Sequence, residues 1–237
     1  MALELSNLSV SRGGRTLVSG VSLTIEPGQL TALLGANGAG KSELVLGLAG
    51  MLPVTGTVSA DNIALAGKGP ETIRLSGVAA VPEGHRVLTR LTVDDNLRAA
   101  GSLLREDLDE TLEKTYVLFP ELAERKQQLA GTMSGGQQQM LALGHAMMCR
   151  PRYLLIDEMS LGLAPLVVKR LMAFVTVLKQ QGVGILLIEQ FTDLALGVAE
   201  QAIVLRSGRV QYNGPAAELR DDPKLLDKAY FGVGKAG

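Results

Sequence analysis

Eight residues, Gly35-Ala36-Asn37-Gly38-Ala39-Gly40-Lys41-Ser42, constrain this chain more than any other stretch. An apolar, strand-like run (Leu30, Ala32, Leu33, Leu34) enters them, and a helical pattern with Leu44, Val45 and Leu48 on one side leaves them. Strand, glycine-rich turn and helix thus follow in the order a phosphate site needs. The G-x-x-x-x-G-K-[ST] spacing lets glycines take backbone angles closed to other residues, so successive N–H groups turn into one concavity that holds an anion. The helix behind adds the positive end of its dipole. Asn37, Gly38, Ala39, Gly40, Lys41 and Ser42 are the expected nucleotide contacts, with Lys41 reaching the β- and γ-phosphates and the Ser42 hydroxyl placed for Mg²⁺.

Around this stretch the chain alternates strands and helices. Leu3, Leu5, Leu8 and Val10 precede Arg12-Gly13-Gly14, and an apolar run at 17–25 follows it, which reads as an antiparallel hairpin. Pro27-Gly28 marks a second turn, 57–66 returns as short strands, and 78–81 reads as a buried strand ending at Pro82. From 89 to 149 the texture turns helical. Thr92 with Asp95 forms a capping-box pattern ahead of a predicted helix at 96–104, and Leu108, Leu112, Tyr116 and Phe119 recur at helical spacing as core residues. Strands are then predicted at 153–156 and 185–188, helices at 165–181 and 191–200, and a hairpin around Ser207-Gly208. Such alternation after a phosphate loop implies a largely parallel sheet with ligands at its carboxyl edge.

With 237 residues, the chain suits one core, or one core carrying a smaller lobe. Its 23 basic and 24 acidic residues nearly cancel, so no overall field draws it to nucleic acid or anionic lipid, and no nucleic-acid partner is expected. A single cysteine, Cys149, excludes an internal disulfide and a cysteine-based metal cluster, and its Ala-Met-Met-Cys setting reads as a small buried thiol in a helix. The N-terminus lacks a signal-peptide pattern, and no run reaches the roughly 18 apolar residues that span a bilayer. The expected location is the cytosol, or a membrane reached only through a partner.

Two further stretches carry chemistry. Asp157-Glu158 ends an apolar strand, where the first carboxylate can hold Mg²⁺ and the second can orient or deprotonate a water. Ser134-Gly135-Gly136-Gln137 opens a helix predicted at 137–148. It can be a simple cap or a second anion-binding helix end. One chain cannot easily bring two anion sites to one phosphate, whereas two chains facing head to tail can.

Residues 35–42, 134–138 and 157–158, in this order and with a helical insertion between the first two, resemble the ATP-binding cassette family of transporter ATPases. Val81-Pro82-Glu83-Gly84, Leu91-Thr92-Val93, the stretch 160–165, Ile188-Glu189-Gln190 and Ala229-Tyr230-Phe231-Gly232 narrow the likeness to the shorter ATPase of branched-chain amino-acid importers. The resemblance implies an α/β fold: a P-loop NTPase core with a mainly parallel sheet, an N-terminal antiparallel β subdomain and an inserted helical subdomain at about 89–149. Residues 1–237 would form a single nucleotide-binding domain. Its cofactors would be ATP and Mg²⁺, the latter held by Ser42 and Asp157. Its catalytic residues would be Glu158, with Gln190 at the switch position and Glu83 in the loop that senses the γ-phosphate. Each ATP would lie between one chain's Lys41 loop and the Ser134, Gly135, Gly136 and Gln137 of a second cassette, a related longer chain or another copy. Integral-membrane permease subunits would bind it at the cytoplasmic face, and a solute-binding protein would act indirectly. A regulatory cassette with weak turnover is the alternative reading.

Four positions depart from the general family pattern by resemblance. Glu83 replaces glutamine and Gln190 replaces histidine, exchanges that the amino-acid-importer branch itself tends to carry. A glutamine amide still donates to a γ-phosphate but does not titrate near neutral pH. Arg12 replaces an aromatic ring that stacks on adenine; its guanidinium could stack instead, or remain a solvated hairpin arginine. Glu43 replaces threonine, and its carboxylate suits the helix dipole but should repel a bound phosphate.

Overall fold

The computed structural model describes residues 1–84, 87–104 and 107–232. The chain opens with β1 (Leu3–Arg12), β2 (Arg15–Ile25), β3 (Leu30–Leu34) and α1 (Lys41–Leu48). It continues through β4 (Val54–Ala60), β5 (Ile63–Ala64), α2 (Pro70–Leu75) and β6 (Val78–Val81). Four helices follow: α3 (Val93–Ala100), α4 (Leu108–Leu118), α5 (Pro120–Ala123) and α6 (Gly135–Met147). Then come β7 (Tyr153–Asp157), α7 (Pro165–Gln180), β8 (Gly184–Ile188), α8 (Thr192–Val198), β9 (Gln201–Arg206) and β10 (Arg209–Pro215). The described chain ends in α9 (Ala216–Asp221) and α10 (Pro223–Phe231).

Two sheets result. The smaller has the order β2-β1-β4-β5 and is antiparallel, its first hairpin closed by Gly13 and Gly14 at φ 56 and 78, angles a side chain disfavours. The larger has the order β10-β9-β3-β8-β7-β6; every neighbouring pair is parallel except β10 with β9. All residues of β3, β7 and β8 are buried, as strands covered on both faces must be. Alternation along β7 sends Leu154 and Ile156 to the core shared with α3, α4, α6 and α7, and Leu155 to the core shared with α1 and the small sheet. Each leucine so buried stabilises the fold by about 2 kcal/mol before entropy is counted. Because β3, β7 and β8 lie side by side and run the same way, three loops leave the sheet together at one edge. They are residues 35–40, 158–164 and 189–191.

The predicted helices shift at their ends. Thr92 is the N-cap and accepts from the Asp95 amide, so the helix begins at Val93 rather than 96 and stops at Ala100 rather than 104. It ends at Gly101, against which the ends of the Leu108 and Met148 side chains pack. The helix expected at 137–148 starts at Gly135, taking both glycines into its first turn, and the one expected at 191–200 is the shorter α8. The helices α2, α9 and α10 carry no sequence expectation. Cys149 lies just past α6 rather than within it, half-buried, with the Arg74 guanidinium donating to its sulfur from Nε at 3.1 Å and Nη2 at 2.8 Å. Within α3 the fully buried Asn96 accepts from the Leu88 amide and donates to the carbonyls of Leu88, Leu91 and Thr92. That one side chain fastens the approach segment to the helix it precedes.

Candidate functional site

The glycine-rich loop connects β3 to α1 through Gly35, Gly38 and Gly40, all at positive φ. A Cβ at Gly35 would strike the Leu205 carbonyl, and one at Gly40 would press on Val18. At Gly38 nothing lies within 4 Å, so that stretch of backbone faces open space. The Lys41 ammonium is buried and lies back over the loop, donating to the carbonyls of Gly35 at 2.8 Å and Ala36 at 3.2 Å. A cavity of about 260 Å³ follows, walled by Asn37, Gly38, Gly40, Lys41, Ser42, Glu43, Glu83, Glu158 and Gln190. Ala39 is buried beneath the loop, and the Ser134 to Gln137 group is not among these walls.

Asp157 ends β7 beneath the cavity, 3% exposed, and its Oδ1 has no partner. Burial pushes its carboxyl up to about 6; the Ser42 hydroxyl bond and Lys41 oppose this, while Glu158 and Glu83 add to it. An orphaned carboxylate oxygen beside a serine hydroxyl is a hard-oxygen donor pair, the chemistry magnesium prefers. Glu158 follows in the left-handed conformation, φ 48, with its amide donating to the Ile188 carbonyl at 3.0 Å. Gln190 reaches across from the exit of β8 and donates through Nε2 to Glu158 Oε2 at 3.1 Å. The Gln190 and Glu83 side chains are exposed at the mouth, so the outer wall is open to solvent.

Arg12 and Glu43, each remarkable in the sequence only for what it replaces, form an ion pair at 3.7 Å. Arg12 therefore leans from the β1 hairpin toward the cradle, where its positive charge offsets the Glu43 carboxylate. Ser134 caps α6 in a full capping box: its hydroxyl accepts from the Gln137 amide and the Gln137 side chain accepts from the Ser134 amide. Gly136 packs against Val167 of α7 too closely for a Cβ, so this glycine is also needed for helix packing. Sequence reasoning assigned no role to Glu189, whose side chain is 2% exposed and accepts from the Ser160 hydroxyl. The one signal available was an acid ending an otherwise apolar strand.

Residues 18–160 match the family described as ABC transporter. Over 97% of this chain and 99% of the relative, the sequence is 40% identical to the high-affinity branched-chain amino acid transport ATP-binding protein BraG of Pseudomonas aeruginosa. It is 33% identical to the probable branched-chain amino acid transport ATP-binding protein LivF of Archaeoglobus fulgidus, over 90% of this chain and 91% of the relative. Among solved structures, an ATP-binding subunit of an ABC transporter superposes with a TM-score of 0.85 at 28% identity, covering 99% of this chain and 100% of that one. A nucleotide-free ATP-binding cassette superposes with a TM-score of 0.83 at 26% identity, covering 96% and 98%.

Proposed function

The chain belongs to the ABC transporter family, and from that premise we propose that it is the ATP-hydrolysing subunit of a membrane importer whose solute is a branched-chain or related amino acid. The observation that carries the reading is the meeting of three strand exits: the Lys41 cradle, the Asp157-Glu158 pair and Gln190, bonded to Glu158 at 3.1 Å. The solute assignment draws on BraG and LivF, whose names state branched-chain amino-acid transport. The whole chain works as one nucleotide-binding domain, with the helices from α3 to α6 as its inserted subdomain.

ATP enters with its phosphates against the backbone amides at 38–42 and the α1 N-terminus. Lys41 leaves the Gly35 and Ala36 carbonyls to meet the β- and γ-phosphates. Asp157 and Ser42 are the residues that would hold magnesium, which when bound offsets charge on the transferring phosphoryl oxygens. Glu158 orients a water for attack and accepts its proton, and the Gln190 amide, already bonded to Glu158, donates to the γ-phosphate side. Glu83 lies on the same wall, where it senses whether that phosphate is present. The site is half of a pair, completed by the Ser134, Gly135, Gly136 and Gln137 of a second cassette; the longer ATPase of the same importer class is the favoured partner. No helix among the described residues is long and apolar enough to cross a membrane, and attachment at the cytoplasmic face comes through permease subunits.

The test is solute-stimulated ATPase of the assembled transporter with wild-type chain and with Glu158→Gln. The substitution removes the carboxylate and keeps its shape, and hydrolysis at this site should fall by about 100-fold or more. Equal hydrolysis with the glutamine would overturn this mechanism.

A further inference from the structure

Glu189 leaves β8 between Ile188 and Gln190, and none of the steps above uses it. Its carboxyl is buried, accepts from Ser160 Oγ, and keeps Oε1 without a partner. Ser160 is equally buried, 2% exposed. An acid so placed costs free energy that an apolar residue of the same size would not, so filling space does not explain it. Burial also holds this carboxyl above the ordinary carboxylate range, with the Ser160 bond opposing.

What the side chain does is visible in the bonds around it. Three links tie the exit of β7 to the exit of β8: Glu158 N–H to Ile188 O, Gln190 Nε2 to Glu158 Oε2, and Ser160, through both Oγ and its amide, to the Glu189 carboxylate. The first two act on Glu158 itself. Its left-handed backbone costs a non-glycine residue about 1 kcal/mol or more and persists only where surroundings impose it. The third link fixes the residue two places on, with the fully buried Met159 between. The turn is thereby pinned at both ends. Beyond it the chain exposes Leu161 and, at the start of α7, Leu166.

We propose that Glu189 is a positioning residue for hydrolysis: by holding Ser160 it fixes the strained turn that aims Glu158 and joins that turn to the exposed segment around Leu161. The proposal rests on the assignment of Glu158 to water activation. It gives the site a mechanical input, since a partner pressing on 161–166 moves Ser160, and Ser160 moves Glu158 only as far as Glu189 allows.

The experiment measures kcat and KM for ATP in the assembled transporter, and ATP affinity and melting temperature of the full chain, for Ser160→Ala, Glu189→Leu, Glu189→Gln and the Ser160→Ala/Glu189→Leu double variant. Ser160→Ala and Glu189→Leu should each lower kcat about tenfold while ATP affinity changes less than about threefold. The double variant should be no slower than Glu189→Leu alone, because that change already removes every bond between the two side chains and the one from the Ser160 amide. Glu189→Gln retains an acceptor for Ser160 and should recover most of the loss. Losses that multiply, or a Ser160→Ala enzyme within about twofold of wild type, overturn the proposal. If Glu189→Leu does not fold, its melting curve reveals it, and Ser160→Ala with Glu189→Gln still decides. A parallel Glu158→Gln control separates the two readings: unaffected hydrolysis there faults the assignment of Glu158, not the tie to Ser160.

Discussion

At the scale of single residues, Arg12 and Glu43 are intelligible together and puzzling apart. Each departs from the pattern that the resemblance implies, and 31 positions separate them, so their pairing could not be read from either one. The pair is half exposed on the arginine side, so its own contribution to stability is small, roughly 0–1 kcal/mol. Its importance is for the ligand: Glu43 sets a negative charge in the first turn of α1, and Arg12 partly cancels it. Glu43→Thr should tighten ATP binding by about threefold, and Arg12→Ala should weaken it in the wild-type background more than in the Glu43→Thr background. Isothermal titration of the full chain measures both; an unchanged or weaker Glu43→Thr constant, or equal Arg12→Ala effects in the two backgrounds, goes against this account. That Lys41, Ser42 and Glu158 line one cavity could be anticipated because each occupies a fixed place in a spaced pattern. The place of Glu189 could not be, because its partner Ser160 lies 29 positions away and only the folded sheet brings the two exits together.

At the scale of elements, the buried strands and the phosphate-loop helix were legible from apolar runs and glycine punctuation. Short helices were harder. The six-residue α2 and α9 are too brief to show a period, although α10 carries an Asp222-Pro223 start whose side chain caps Lys224 and Leu225. The helix α6 holds a group that only its packing reveals. His145 lines a cavity of about 350 Å³ bordered by Arg74, Val81, Leu88 and Cys149, with Nε2 buried and unpartnered. Burial, aided by Arg74, lowers its pKa from 6.5 to about 4. Between those values the unfolded chain binds a proton that the folded chain refuses, so the stability His145 permits above pH 6.5 is lost as pH falls toward 4. The loss is at most roughly 3 kcal/mol. Thermal melts from pH 7 to 4 should fall less steeply for His145→Leu than for wild type, and parallel curves would show that His145 stays outside the transition.

At the scale of the whole molecule, the order of motifs was enough to anticipate a parallel sheet, an antiparallel attachment and a helical insertion. It could not give the distance from the cradle to the α6 N-terminus, because the intervening 92 residues can fold back in many ways. The Ser134 group is absent from the walls around Lys41, and the proposed shared site supposes that a second cassette supplies it. Ser134→Arg should therefore leave ATP binding by the isolated chain within about twofold while abolishing hydrolysis at one site of the assembled transporter. Lys41→Ala should remove ATP binding by the isolated chain. Fluorescent-nucleotide titration distinguishes them, and loss of binding in Ser134→Arg would place both groups in one site.

The Asn96 side chain gives the approach to α3 an unusual status. Loops normally open on their own and cheaply, but here the Leu88 amide is held by a side chain fully buried within a helix. In terms of hydrogen exchange, Leu88 should belong to α3: its deuterium uptake should follow the unfolding of the helix, and the segment from Leu88 to Thr92 should open with the helical insertion rather than as an independent loop.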